Sequence, residues 1–295
     1  MKEKLLMIIN PAAGKSGYSD RLAPALRRLG AAGYAPSLYF TDKRGDAALF
    51  AEKYGGEYEK LIVLGGDGTL SEAVSGLMRI EKRPSVGYIP LGTANDIART
   101  LGLPKNDIPQ AVQRFIDGKP MPFDVGRANG AHFNYIAAFG AFTEVSYATP
   151  QELKQEWGEL AYLAGAAKSL TALGVRRVRV EYDDGVREGE YLYGSVSNSF
   201  SVAGLVELPH DRVCLNDGLH ELILLRKPEN AAKFAVLAAK VLNKDLDSEY
   251  IEILHTKKAR FILDEPVGWA LDGEDGGKHS VLDTECIHRA IEMIH

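Results

Sequence analysis

The stretch Leu61-Ile62-Val63-Leu64-Gly65-Gly66-Asp67-Gly68-Thr69 runs from four apolar residues through a glycine-rich turn into an amphipathic segment. A short apolar run bounded by a turn reads as a buried strand. Beyond the turn, Leu70, Ala73, Val74, Leu77 and Met78 recur at helical spacing, so residues 69–78 are expected to form a helix with one apolar face. Thr69 with Glu72 three residues on predicts a capping-box start. Glycines let backbone approach an anion closely, and the free N–H groups of a helix start attract it. Asp67 breaks that pattern. A carboxylate in such a cradle repels phosphate unless a divalent cation lies between them or the acid takes up a proton. The combination points to phosphoryl transfer.

The same grammar repeats on either side. Residues 5–9 read as a strand ending at Asn10-Pro11-Ala12-Ala13-Gly14-Lys15, followed by a helix with Leu22, Leu26 and Leu29 on one face. Strands at 37–40, 61–64 and 86–89 alternate with helices at 46–54 and 69–78, and Pro90-Leu91-Gly92-Thr93-Ala94-Asn95-Asp96 leads into a short helix. Short apolar strands separated by helices imply a parallel sheet covered on both faces. Ligands on such sheets bind beyond the carboxyl ends of the strands, where the loops at 10–15, 65–69 and 90–96 all fall. After Pro122 the pattern turns mainly to β, with segments at 123–138, 175–182, 190–199, 218–225, 249–255, 260–263, 267–271 and 279–282. Only 157–173 and 229–242 read as helices there. The expected architecture is an α/β domain over 1–122 and a β-rich domain over 123–295, with a cleft between them and the C-terminal residues packing back on the first domain.

The first loop is not a Walker A sequence, though Gly14 permits a tight turn and Lys15 offers a charge to phosphate. Thr93 is a candidate N-cap. Asn216-Asp217-Gly218-Leu219 precedes a strand and Leu271-Asp272-Gly273-Glu274 follows one. Asp-Gly is a common hairpin turn. Alternatively, Asp217 and Glu274 return from the second domain to face Asp67, supplying the oxygen ligands and the base that phosphoryl transfer needs.

With 295 residues, 45% hydrophobic and 25% charged, the chain has the ordinary globular mixture. A net charge of −5 provides no global field for nucleic acid or anionic membrane. Cys214 and Cys286 lack metal or redox spacing and are expected to be reduced thiols. The first strand begins by Leu5, leaving no room for a targeting peptide, and apolar runs such as 160–167 fall short of the ~20 residues that span a bilayer. A cytoplasmic protein is expected, with peripheral contact at an inner membrane face. Arg176, Arg177, Arg179, Lys257, Lys258 and Arg260 read either as solvated strand faces or as a patch for anionic head groups. Trp157, Leu160 and the small-residue run 164–167 read first as packing.

Asn10-Pro11 with Gly14-Lys15, Gly65-Gly66-Asp67-Gly68-Thr69, Pro90 with Gly92-Thr93 and Asn95-Asp96, Asp217-Gly218, and Asp272-Gly273-Glu274 occur in one order. Together they resemble the diacylglycerol kinase catalytic-domain family, specifically soluble bacterial lipid kinases related to sphingosine and ceramide kinases. The likeness spans essentially the whole chain. It implies a nucleotide-binding domain like that of NAD kinase and phosphofructokinase, a β-rich lipid-binding domain, ATP and Mg²⁺, a lipid substrate, no nucleic acid, and a homodimer. By that resemblance ATP contacts Asn10, Pro11, Ala12, Ala13, Gly14, Lys15, Thr41, Gly65, Gly66, Asp67, Gly68, Thr69, Leu70, Ser71, Glu72, Gly92, Thr93 and Asn95. Glu274 is then the proton acceptor, with Asp67 acting through a Mg²⁺–water network. Asp217 holds a second, structural Mg²⁺ with the main-chain oxygens of Cys214 and Leu219. The chain departs from the family at Asn198-Ser199-Phe200-Ser201-Val202-Ala203-Gly204, where members often carry Asn-Gly and a glycine cluster, and at Asn216-Asp217-Gly218. Both departures fall in the acceptor half, so which hydroxyl is phosphorylated stays open. The rival readings are a soluble kinase of the NAD-kinase type and a non-catalytic nucleotide- or lipid-binding regulator.

Overall fold

Strand β1 (Glu3–Ile9) sends alternate residues to two different cores, which is how the chain covers both faces of one sheet. Leu5, Met7 and Ile9 pack with Ala25 and Leu29 of α1 (Tyr18–Ala31) and with Ile108, Val112 and Phe115 of α5 (Ile108–Asp117). Leu6 and Ile8 pack with Ala47 and Ala51 of α2 (Asp46–Tyr54) and Leu70, Ala73, Val74 and Leu77 of α3 (Asp67–Leu77). Period-two burial on each face is what a strand between two helix layers requires. β2 (Tyr34–Phe40), β3 (Lys60–Gly65) and β4 (Ser85–Pro90) complete the parallel set in the order β2-β1-β3-β4. The computed structural model describes residues 2–14, 18–92, 95–140, 174–202, 206–208, 213–243 and 245–295. The helix expected at 157–173, with Trp157, Leu160 and the run 164–167, lies outside them.

The remaining strands are β5 (Pro120–Ala128), β6 (Ala131–Phe133), β7 (Ile136–Gly140), β8 (Arg176–Tyr182), β9 (Gly185–Ser197), β10 (Ser201–Val202), β11 (Val206–Glu207), β12 (His220–Arg226), β13 (Ile251–Thr256), β14 (Lys258–Leu271) and β15 (Glu274–Ile294). The short α4 (Asp96–Thr100) follows β4, and α6 (Ala231–Leu242) lies between β12 and β13. A 13-stranded sheet runs through both halves: ten strands follow the order β13-β12-β9-β7-β14-β15-β4-β3-β1-β2, and β5, β6 and β8 pair off this path. The join is β15, parallel to β4 through Met293↔Val86 and Ile294↔Gly87 and antiparallel to β5. A third apolar core collects Phe139, Phe261 and Trp269, with the Phe139 and Trp269 ring centroids 4.9 Å apart.

Several element boundaries differ from expectation. Residues 123–138 are not one β segment, because Asn129 and Gly130 take positive φ (44° and 90°) and turn β5 back into β6. Conversely, 260–263 and 267–271 belong to one strand, β14, with a register shift between Ile262 and Val267. β15 is 21 residues long where the sequence read as strand only at 279–282. Its later part is interrupted by a shift between Ile287 and Ile291, with Arg289 at φ 50°, and that break disguises the alternation.

α2 and α3 approach closely because Gly76 has no side chain. A Cβ there would stand 2.2 Å from the Ala48 carbonyl oxygen, a backbone atom with nowhere to retreat. Gly76→Ala is expected to lower stability by at least ~1–3 kcal/mol, the usual cost of overpacking. Equilibrium urea unfolding measures it, and an unchanged midpoint would contradict the packing described.

Candidate active site

Four strand ends meet at one edge of the parallel sheet. After β1, Asn10 uses its side chain twice: Nδ2 donates to Thr69 Oγ1 (3.0 Å) and Oδ1 accepts the Ala12 N–H (2.9 Å). The first loop is thereby tied to the first turn of α3. That helix begins at Asp67 with Gly66 as N-cap and no side-chain cap. The expected capping box at Thr69 and Glu72 does not form. Thr69 is taken by Asn10, and Glu72 Oε1 accepts the Gly45 N–H (2.9 Å). The loops after β3 and β4 touch backbone to backbone, since a Cβ on Gly92 would lie 2.8 Å from Gly66 Cα and 2.7 Å from Asn95 Oδ1. Glycine is required there by close approach.

Asp67 stands at the back of this cradle. Its Oδ2 accepts the Asp96 N–H (3.2 Å), and the Tyr88 hydroxyl lies 3.4 Å from Oδ1 and 3.2 Å from Asn95 Oδ1. Burial, followed by the nearby Asp96 carboxylate, pushes the Asp67 acid up to about 6, with Asp272 adding to the effect. Asp96 is also raised, by burial, against the pull of Arg99 and Lys105. A carboxylate held this far above its ordinary value is one whose charge lacks compensation.

The opposite wall comes from the hairpin between β14 and β15. Asp272 (φ 50°) and Gly273 (φ 77°) form its turn, so Asp-Gly is a hairpin turn and part of the cleft at once. The Asp272 side chain is not part of the cleft lining. It is buried, and its two oxygens accept from Asn134 N and Nδ2, Tyr135 N and Ile136 N at 2.7–3.2 Å. That anchor fixes the turn and sets Glu274 over the helix start: a Cβ on Gly68 would meet Glu274 Oε1 at 3.0 Å. Arg44, on the loop after β2, reaches Glu274 Oε2 at 3.6 Å.

The walls enclose a cleft of about 670 Å³. Of the residues singled out in the sequence, Asn10, Ala12, Ala13, Thr41, Gly66, Gly68, Thr69, Ser71, Glu72, Gly92 and Glu274 line it. Gly65, Asp67 and Asn95 lie behind the lining, and Leu70 is turned into the core. Pro11 and Gly14 flank it, whereas Lys15 and Thr93 lie outside the described residues, so the helix-capping role expected of Thr93 falls there too. The residue at the N-cap of α4 is Asn95, at φ 53°. Arg44, His132 and Asp275 line the cleft and were not picked out from sequence. Only tertiary pairing brings 132 and 275 to α3, and no motif marks Arg44.

Asp217 does not face Asp67 across this cleft. Its turn packs beside β5 and β15, where Asp124 Oδ2 accepts the Gly218 N–H (2.6 Å) and His288 Nε2 lies 2.8 Å from the Asn216 carbonyl oxygen. Asp217 Oδ1 accepts the Leu219 N–H (2.9 Å), which holds the carboxylate beside the main chain of Leu219. Cys214 is exposed and Cys286 buried, both free. Among the described residues no three His, Cys, Asp or Glu side chains form a ready-made chelate. Two places nevertheless offer hard oxygen donors of the kind Mg²⁺ takes together with water: the uncompensated Asp67, and the Asp217 turn.

The basic strand residues are largely paired. Arg176 meets Glu265, Arg177 meets Glu188, Arg179 meets Glu181, Lys258 meets Glu285 and Arg260 meets Asp283, all within 3.0–3.5 Å. Neutralised strand faces fit these contacts better than a patch for anionic lipid. No helix among the described residues is long and apolar enough to cross a membrane.

A strand–glycine turn–helix cradle with an internal acid, faced by a carboxylate from a distant hairpin, defines a phosphotransferase site. Comparison with known proteins places it more narrowly. Residues 4–128 match the diacylglycerol kinase catalytic domain. The chain is 36% identical over 273 residues to the diacylglycerol kinase of Bacillus subtilis (strain 168), covering 92% of this chain and 89% of that one. It is 36% identical over 281 residues to the diacylglycerol kinase of Staphylococcus epidermidis strain RP62A, covering 94% and 88%. The crystal structure of a diacylglycerol kinase from Bacillus anthracis str. Sterne superposes with a TM-score of 0.78 at 26% identity, covering 99% of this chain and 97% of the other. The chain belongs to the diacylglycerol kinase family and is an enzyme of the lipid kinase class.

Proposed function

We propose that the protein transfers the γ-phosphate of ATP to a hydroxyl of diacylglycerol or a related lipid, giving a phosphatidic-acid-like product, with Mg²⁺ required. The observation that carries this reading is Glu274 standing over Gly68 at the N-terminus of α3. Helix-start N–H groups and the Gly66–Gly92 contact suit the triphosphate. The chain's other half delivers a carboxylate to where an acceptor hydroxyl must approach. Glu274 takes the hydroxyl proton, the oxygen attacks the γ-phosphorus in line, and ADP leaves. Mg²⁺, when bound, neutralises charge on the phosphate oxygens. Asp67 and water are the donors that fit it there, and the Asp217 turn with the Cys214 and Leu219 carbonyl oxygens fits a structural ion. The α/β half is read as a nucleotide-binding fold of the NAD-kinase and phosphofructokinase kind, and a lipid acceptor implies work at a bilayer surface.

The test is incubation with γ-phosphate-labelled ATP, Mg²⁺ and a lipid panel in mixed micelles. Label is expected in a diacylglycerol-like lipid, and its transfer should vanish with a chelator. Label appearing in a dinucleotide and in no lipid would sink the proposal in favour of a soluble kinase.

A further inference from the structure

Arg44 is an unexplained cation beside the residue assigned as base. Its guanidinium lies 3.6 Å from Glu274 Oε2, with the two side chains 74% and 53% exposed. The backbone beneath it is fixed. Asp46 Oδ2 accepts the N–H groups of Asp42 and Lys43 (2.9 and 3.0 Å), and the Gly45 N–H donates to Glu72 Oε1 on α3 (2.9 Å). Gly45 takes φ 89°, a left-handed turn that reverses the chain into α2. The loop is thus bound to two helices, and the long Arg44 side chain is the part able to move.

Charge in the cleft sets what that movement is for. Among the described residues lining it, Asp42, Glu72, Glu274 and Asp275 stand against Lys43 and Arg44. A polyanionic substrate entering these walls needs a cation at its reacting end, and Arg44 is already beside Glu274. Its present contact is a single, long, water-exposed ion pair, a kind that contributes little. A terminal phosphate offers more charge and the two-pronged geometry that a guanidinium matches. While Arg44 lies against Glu274, its guanidinium stands at Oε2, on the side from which an acceptor hydroxyl would have to approach that oxygen.

We propose that Arg44 exchanges partners, leaving Glu274 for the terminal phosphate of the bound nucleoside triphosphate and so releasing the base only when that phosphate is in place. The inference rests on the assignment of the cleft to ATP and of Glu274 to proton removal. Arg44 is then both a phosphate-binding residue and the element that orders the reaction, with nucleotide preceding proton transfer.

Titrating the full-length protein and its Arg44→Ala and Arg44→Lys variants with ATP and with ADP tests this, alongside the pH dependence of turnover. Loss of one charge-assisted hydrogen-bonded contact predicts about 10- to 100-fold weaker ATP binding in Arg44→Ala, with ADP weakened less than ~3-fold. Arg44→Lys is expected to recover part of the loss, because it keeps the charge without the fork. Equal losses for ATP and ADP would overturn the proposal. So would a displaced acid limb of kcat/KM with unchanged ATP affinity, which would mean that Arg44 serves Glu274 alone. Wild-type protein that binds no ATP would remove the cleft assignment itself. Wild-type binding of ATP with an unaltered ATP-to-ADP ratio in Arg44→Ala would remove only the role given to Arg44.

Discussion

Glu274→Gln is expected to lower turnover by about 10²–10⁴-fold, the usual consequence of losing a general base. The substitution keeps the side-chain shape over Gly68 and removes the charge, and with it the ability to accept a proton. Folding should be unaffected, because the side chain is about half exposed (53%) and the ion pair it makes with Arg44 is of the water-exposed kind. The hairpin that carries it is held by the buried Asp272, which the change does not touch. Label transfer to lipid under saturating ATP measures the loss, with a thermal melt as control. Undiminished transfer would strip Glu274 of the assigned role, whatever the fold.

Asp67→Asn is expected to cost about 10²–10³-fold in activity, as removal of one preorganised electrostatic group does, and to stabilise the ligand-free protein. The second effect follows from the acid's displaced titration. Burial and Asp96 raise it from an ordinary 3.8 to about 6. Between these values the folded chain binds more protons than the unfolded one, so stability declines as pH rises through that window and stays lowered above it. Replacing the acid by the neutral amide removes the penalty. The variant should therefore unfold later than wild type above pH ~6, on the order of 1–3 kcal/mol, and match it below pH ~4. Added Mg²⁺ with nucleotide should stabilise wild type more than the variant. A variant less stable than wild type at pH 8 would show that Asp67 is compensated by something other than a bound ligand.

These expectations draw on different levels of information. The parallel strands were legible because each is a short apolar run, and two covered faces require that composition. Helix α3 was legible from Leu70, Ala73, Val74 and Leu77, but its cap was not. Thr69 and Glu72 have the spacing of a local capping box, yet Asn10 and Gly45 take both side chains, and neither partner is near them in sequence. The long β15 was largely missed, because its alternation is broken where Arg289 turns into the left-handed region. Asp272 looked like one choice between turn and site. It forms the turn, and its carboxylate anchors that turn to Asn134, Tyr135 and Ile136.

Amino-acid order alone determined the strand–turn–helix units, the placement of the glycine loops at strand ends, and the acids worth watching. Each of these depends on residues within a turn or two of one another, where spacing is itself geometry. Tertiary structure decided which acids meet. It sent Glu274 to the cleft and Asp217 to a separate turn, put Arg44 against Glu274, and ran one sheet through both halves by laying β15 beside β4. The physical reason is that contacts between residues some two hundred positions apart are fixed by strand register and packing, which local sequence does not encode.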